Sequence, residues 1–216
     1  MSRKQLHEVE REHKQNRVFA LIVVVLALLS FIQTVTHDFT YDDVYIVRDN
    51  PVITDLSNLG TIFTSNYWGD REEFRDKSLY RPLTITSYAL NYALHGINPA
   101  GYHLVNVVLH ALVSLLLFYW VRDLFKNPAA AFITALLFAV HPIHTEVVAG
   151  VVGRAEILAL LGIILCAWSY HRAMSAFDEK SMFTGIRWLL LSVAAFLTGI
   201  YSKESAAIAP AFIVLA

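Results

Sequence analysis

Between Val18 and Val35 the chain runs for about 18 positions without a charged side chain, the length at which an apolar helix reaches across the hydrocarbon core of a bilayer. No other feature narrows the fold so far. Backbone polar groups in hydrocarbon must be satisfied inside the segment, which leaves only helices and closed barrels. Further apolar runs follow at Tyr102–Val121, Pro128–Val140, Ile157–Tyr170 and Trp188–Tyr201, and Ala206–Ala216 opens a sixth that stops partway. Charged residues make up only 16% of the chain, whereas soluble domains run near a quarter. The expectation is an all-α polytopic membrane protein whose third span is short, at about a dozen residues, and must tilt or bed in protein. A formal net charge of -1 gives no basic field for nucleic acid. The single cysteine, Cys166, lies within an apolar run and reads as a small core residue.

Sidedness comes from the flanks. Residues 1–17 are dense in charge and hold Arg3, Lys4, Arg11, Lys14 and Arg17, so the positive-inside rule puts the amino terminus in the cytoplasm. A cleaved leader has a shorter apolar core and a small-x-small exit. Here Phe31, Gln33 and His37 surround the exit, and the segment reads as a retained anchor. Residues 18–35 then form the first span, 36–101 an extracytoplasmic loop, and 102–216 spans two to six, in a bacterial inner membrane or the endoplasmic reticulum.

The loop is interleaved with aromatics and acids, among them Tyr41, Tyr45, Tyr67, Trp68, Asp70, Glu72, Phe74, Asp76 and Tyr80, a composition that predicts a folded loop. Asn50-Pro51 and residues 66–69 predict turns, and Leu56–Thr64 a short helix capped by Asp55 or Ser57. Arg81-Pro82 opens a second helix. Its Leu83, Ser87, Leu90 and Leu94 share one mostly apolar face suited to the membrane interface, and Gly96, Asn98, Pro99 and Gly101 break it.

Several polar groups stand out against this background. Asp42 and Asp43, just past the first span, are placed for chemistry at the membrane surface or for capping a turn. His103, Asn106 and His110 stack on one face of the second span, with Ser114 continuing the line. Interhelical hydrogen bonding and ligand binding both fit that line. His141, His144 and Glu146 lie close together, but their spacing is not the helical zinc pair and Pro142 interrupts it, so no metal is assigned. Arg154 either offers a planar fork to phosphate or pairs with Glu146 or Glu156, while Gly150 and Gly153 permit close backbone approach. Lys203 and Glu204 are an interfacial pair or an anion site.

Phe39-Thr40-Tyr41-Asp42-Asp43, Asn50-Pro51, Tyr80-Arg81-Pro82-Leu83, His103-Leu104-Val105-Asn106, Leu109-His110-Ala111-Leu112, His141-Pro142-Ile143-His144-Thr145-Glu146, Gly153-Arg154-Ala155 and Lys203-Glu204 resemble, in that order, the motifs of the transmembrane and tetratricopeptide-repeat O-mannosyltransferases. Bacterial relatives share the pattern. The resemblance implies a GT-C-like helix bundle that takes mannose from a dolichyl or polyprenyl phosphate in the lipid bilayer and passes it to a Ser or Thr hydroxyl of a protein acceptor. It implies Asp42 as catalytic base with Asp43 as its partner. Arg154, Lys203 and Arg81 would bind the donor phosphate, and His103, Asn106, His110, His141, His144, Glu146 and Glu204 would support the site. Displacement opposite the phosphate inverts the anomeric carbon, and a divalent cation is optional. That family continues into further spans and repeats, so the chain is expected to be a truncated amino-terminal part, inactive alone. A transporter or lipid flippase and a membrane scaffold remain as other classes. The first has no need of so elaborate a loop, and the second predicts that Asp42→Asn is harmless.

Overall fold

The computed structural model describes residues 3–69 and 79–215. The loop residues Asp70, Glu72, Phe74 and Asp76 lie outside the described residues. Among those described the chain is helical, with no strand. Four helices are long and apolar enough to cross a membrane, Gln5–Thr36, Pro99–Phe125, Val151–Asp178 and Met182–Ser202, and a bent pair over 128–149 gives up to one more.

Helix α1 (Arg3–Phe31) continues as a 3-10 turn over Ile32–Thr36. The charged amino-terminal segment is therefore continuous with the first span. Helix α2 (Leu59–Ile62) is a single turn in the loop, α3 (Pro82–His95) is the helix opened by Arg81-Pro82, and α4 (Pro99–Phe125) and α5 (Pro128–Val140) follow. Asparagine caps start the last two. The Asn98 side chain accepts from the Ala100 amide at 3.1 Å, and Asn127 accepts from the Ala129 and Ala130 amides at 3.1 Å, each with proline at the position that needs no donor. Ala131, Ala135 and Ala139 form a row of small side chains along α5, and it packs against Val23 and Ala27 of α1 and Ala111 and Phe118 of α4. Without a hydrophobic drive between helices in lipid, such small residues allow the close packing that holds them together.

Helix α5 has 13 residues, about 20 Å of rise, too short to cross. His141-Pro142 then interrupts the helix, because proline supplies no amide hydrogen, and the chain bends by 46° into Pro142–Ala149, which ends in α6 (Thr145–Ala149). This break carries Glu146 and the turn Val151–Gly153 against the first loop. Helices α7 (Arg154–Asp178) and α8 (Met182–Ser202) form a hairpin, and a 3-10 turn over Glu204–Ile208 leads to α9 (Ala209–Leu215). The observed spans outrun the uncharged cores, since Arg122 and Arg172 continue their helices past the apolar stretch. Leu21, Leu29, Ile133, Leu137 and Leu190 turn outward, where lipid replaces water as their solvent.

The α7–α8 crossing is tightest at Gly162. A methyl group there would lie 2.6 Å from Gly199 Cα and 2.7 Å from its nitrogen, and backbone cannot step aside as a side chain can. Gly162→Val in the full-length protein is expected to cost about 1–3 kcal/mol of overpacking. Thermal unfolding in detergent reads it; an unchanged midpoint would mean that the hairpin does not need this approach.

The first loop has a core of its own. Phe39, Ile46, Val47, Ile53, Ile62, Tyr67, Ile85, Tyr88, Tyr102 and Val151 bury one another; of the loop aromatics Tyr67 packs inward with Trp68 against it, whereas Tyr41, Tyr45 and Tyr80 stay exposed. Asp55 caps its turn by accepting from the Ser57 amide at 2.8 Å. Helix α3 ends at Gly96 with φ 62, a backbone conformation that glycine adopts without strain. Leu90 and Leu94 point outward. Ser87 instead turns in toward Arg154.

Candidate active site

The loop approaches its acids through an unusual backbone. Tyr41 has φ 48, in the left-handed region that a bulky side chain rarely occupies, and the two acids after it separate. Asp43 is 1% exposed. One of its oxygens accepts from the Val152 amide at 2.8 Å and the other from the Thr40 amide at 3.3 Å. It therefore ties the Val151–Gly153 turn to the first loop. Asp42 is exposed, and its carboxylate takes no hydrogen bond among the described residues. Of the two acids named by the sequence, only Asp42 presents a carboxylate free to react.

Asp42 stands between two clefts. The larger, about 680 Å³, is lined by His37, Asp38, Tyr41, Asp42, Glu146 and Val152 among others. The smaller, about 230 Å³, is lined by Asp42, Glu146 and Val152 again, with Tyr67, Trp68, Arg81 and Glu156. Among the described residues the larger cleft has no lysine or arginine in its wall, whereas Arg81 opens onto the smaller. The Glu146 carboxylate, carried there by the broken α5–α6 segment, also takes no hydrogen bond among the described residues.

Arg81 grips Glu204 with both ends of its fork, Nε at 3.0 Å and Nη2 at 2.6 Å, and lies over the Tyr67 ring at 5.0 Å. Lys203 pairs with Glu156. Two of the three cations picked out by sequence thus arrive at one end of the bundle, each with a carboxylate partner. Burial raises the Tyr67 phenol well above its ordinary range, so it stays protonated. The Arg81 hydrogen bond lowers the Glu204 carboxyl. A depressed folded value means that the contact stabilises above the ordinary carboxylate range and is lost as pH falls through the lowered value. The melting temperatures of wild type and Glu204→Gln are therefore expected to differ slightly at neutral pH and to converge in acid. The effect is small because Glu204 is exposed; a gap that widens in acid would contradict the pairing.

Arg154, the first residue of α7, is 0% exposed. Its Nε donates to Asn106 Oδ1 at 2.8 Å, its Nη2 to Asn91 Oδ1 and the Tyr102 carbonyl at 2.9 Å each, and its Nη1 to the Ser87 carbonyl at 3.3 Å. The guanidinium also lies 4.8 Å from the Tyr88 ring centroid and 5.8 Å from that of Tyr102. Neither Glu146 nor Glu156 is among these partners, and no edge of the fork opens to a cleft. Both sequence expectations for Arg154 are thus corrected: burial spends its donors on tying α3, α4 and α7 together.

The polar line on α4 makes hydrogen bonds to the turn before α7, to α5 and within α4 itself. Asn106 Nδ2 donates to the Gly150 carbonyl at 2.9 Å and to that of Val151 at 3.3 Å. His110 Nε2 lies 3.0 Å from the Ala139 carbonyl, and Ser114 Oγ donates to the His110 carbonyl at 2.9 Å. The His103 ring is buried, edge-on to His37 at 6.0 Å. His144 packs on Phe138 at 4.3 Å, while exposed His141 accepts from the Ile143 amide at 3.2 Å. No group of three or more metal-capable side chains occurs among the described residues. Gly153 makes the expected close approach, since any side chain there would collide with the Val147 carbonyl. Sequence reasoning did not find Ser87, Asn91 and the Tyr102 carbonyl as ligands of Arg154, nor the pairing of Glu156 with Lys203. The four-residue spacing of Ser87 and Asn91 was the available signal, obscured by the leucines beside it.

A bundle of apolar helices with an acidic cleft and two cations at one end defines a polytopic membrane protein with a candidate active site near one membrane face. The sequence model of the family described as dolichyl-phosphate-mannose-protein mannosyltransferase matches residues 82–216. Protein O-mannosyl-transferase TMTC1 of Homo sapiens is 43% identical over 159 residues, 72% of this chain and 18% of the relative. Protein O-mannosyl-transferase TMTC3 of Homo sapiens is 39% identical over 163 residues, covering 75% and 17%, and TMTC4 of Homo sapiens is 33% identical over 199 residues, covering 85% and 27%. No solved structure matches. The chain belongs to the dolichyl-phosphate-mannose-protein mannosyltransferase family, and it spans 17–27% of the length of these relatives.

Proposed function

We propose that this chain forms the amino-terminal membrane part of a protein O-mannosyltransferase, which moves mannose from a dolichyl or polyprenyl phosphate to a Ser or Thr hydroxyl on the extracytoplasmic side. The observation that carries the reading is the free Asp42 carboxylate standing where the acidic cleft meets the cleft that holds Arg81. A hydroxyl is a poor nucleophile, so Asp42 accepts its proton as oxygen bonds to the anomeric carbon. The carbon–phosphate oxygen bond breaks on the opposite side, the configuration inverts, and the lipid phosphate leaves with its electron pair. Arg81, with Lys203 behind it, is placed to offset that charge by exchanging Glu204 and Glu156 for phosphate oxygens. Glu146 faces the same space as Asp42 and is suited to orient sugar or acceptor hydroxyls. Asp43 and Arg154 act one step back, holding the loop and the helices that position Asp42. The basic residues in the first half of α1 favour a cytoplasmic amino terminus, and a divalent cation is optional in this scheme.

The donor is the part most directly tested. Membranes carrying the full-length protein are supplied with an acceptor peptide and either lipid-phosphate mannose or a nucleotide-linked mannose under conditions that block lipid loading. Transfer is expected from the lipid donor alone. Equal transfer from the nucleotide sugar would remove the lipid phosphate from the mechanism, and no transfer from either would remove the enzyme reading.

A further inference from the structure

An inverting displacement needs two approaches to one carbon, because the hydroxyl arrives opposite the departing phosphate, and Asp42 stands between two clefts. The smaller, about 230 Å³, holds Arg81 with Tyr67 and Trp68, which suits one sugar held by its phosphate. The larger, about 680 Å³, is then left to the acceptor, and its wall has a definite charge. Asp38, Asp42 and Glu146 line it, and His37 is its one basic side chain among the described residues. Asp43 is already committed to two backbone amides. Asp38 gives one oxygen to the Phe39 amide at 2.7 Å, and its other oxygen takes no hydrogen bond among the described residues. Arg48 lies near enough to feel Asp38, but its fork is held by Asp49 at 2.9 and 3.1 Å. No three of the described acids and imidazoles converge on a position for one metal ion. Negative charge spread along a wall in this way complements cationic side chains on a peptide.

Tyr41 points to the same ligand independently. It lines the larger cleft and is 91% exposed, although its left-handed backbone, φ 48, costs free energy that burial of the ring does not offset. An aromatic face held open beside carboxylates attracts a cation both through its ring and through their charge. We propose that the larger cleft binds the acceptor segment and selects a Ser or Thr flanked by lysine or arginine, whose cation lies against the Tyr41 ring between the Asp38 and Glu146 carboxylates. An acidic flank would meet repulsion from the same wall, so the cleft discriminates in both directions. That the bound segment is an acceptor rests on the transferase reading; the preference for positive charge rests on the wall alone.

The test uses the full-length protein in detergent at low ionic strength and three fluorescent peptides that differ only beside one threonine, with lysine, alanine or glutamate on each side. Fluorescence anisotropy reads their binding. Wild type is expected to bind the lysine peptide about three- to tenfold more tightly than the alanine peptide and the glutamate peptide most weakly, with the spread narrowing as salt rises. Tyr41→Ala combined with Asp38→Asn, two exposed side chains, is expected to bring the lysine-to-alanine ratio close to one, whereas Tyr41→Phe keeps the contribution of the ring. Equal binding of the three peptides by wild type, binding of none, or a lysine preference that survives the double substitution overturns the proposal. Mannose transfer to the same peptides is read in parallel. Ordered binding without transfer upholds the cleft as a site for a cationic segment and removes the transferase reading; transfer with the same kcat/KM to all three removes the charge preference and leaves that reading standing.

Discussion

Asp42→Asn in the full-length protein is expected to lower mannose transfer by about 10²–10⁴-fold, the usual contribution of a positioned general base, with no loss of expression or melting temperature. The amide keeps the shape of the carboxylate but cannot accept the proton. Because the Asp42 carboxylate takes no hydrogen bond among the described residues, nothing in the fold registers the change. Asp43→Asn makes the informative contrast. Asp43 accepts two backbone amides, from Val152 and Thr40, and an amide side chain can satisfy only one of them. About 1.5–3 kcal/mol attaches to such a charged hydrogen bond, so this variant is expected to melt earlier and to retain part of its activity in the folded fraction. Rates per folded molecule, measured for both variants beside wild type, separate base from brace. Full activity in Asp42→Asn would refute the base assignment and move attention to Glu146, the other free carboxylate shared by the two clefts.

Much of this arrangement was legible along the chain because it rests on local rules. Apolar runs gave the spans, Pro82 and Pro128 gave two helix starts, and the break at His141-Pro142 was visible as a proline between polar residues. The resemblance supplied the roles of Asp42 and the cations, which spacing alone left open. What sequence could not reveal depends on pairs far apart in the chain. Asp43 meets Val152, Lys203 meets Glu156, and Arg154 meets Asn91, and no periodicity encodes those meetings. The two aspartates look equivalent in sequence; the backbone at Tyr41 and the amide of Val152 make one of them structural. Arg154 misled for a related reason. An arginine near a glycine-rich turn suits phosphate, and only the ring of uncharged acceptors on α3 and α4 shows it spent elsewhere.

That reassignment yields the second large effect. Arg154→Met is expected to destabilise the full-length protein by about 3–5 kcal/mol, the cost of removing one partner from a buried charged network, against a total stability of about 5–15 kcal/mol. The methionine fills much of the volume but leaves Asn106 Oδ1, Asn91 Oδ1 and the Tyr102 carbonyl without their donor, and buried acceptors do not recover those bonds from lipid or water. Arg154→Lys should fall between, since an ammonium offers a point charge rather than a planar fork reaching α3 and α4 together. Pairing Arg154→Met with Asn106→Leu should restore part of the loss by removing the orphaned acceptor with its donor. Melting in detergent, beside donor binding by the folded fraction, separates this role from the phosphate-binding one. A variant that melts like wild type yet no longer binds lipid-phosphate mannose would make Arg154 a substrate ligand after all. Early melting with donor affinity intact per folded molecule would place it in the frame that holds Asp42 at the cleft.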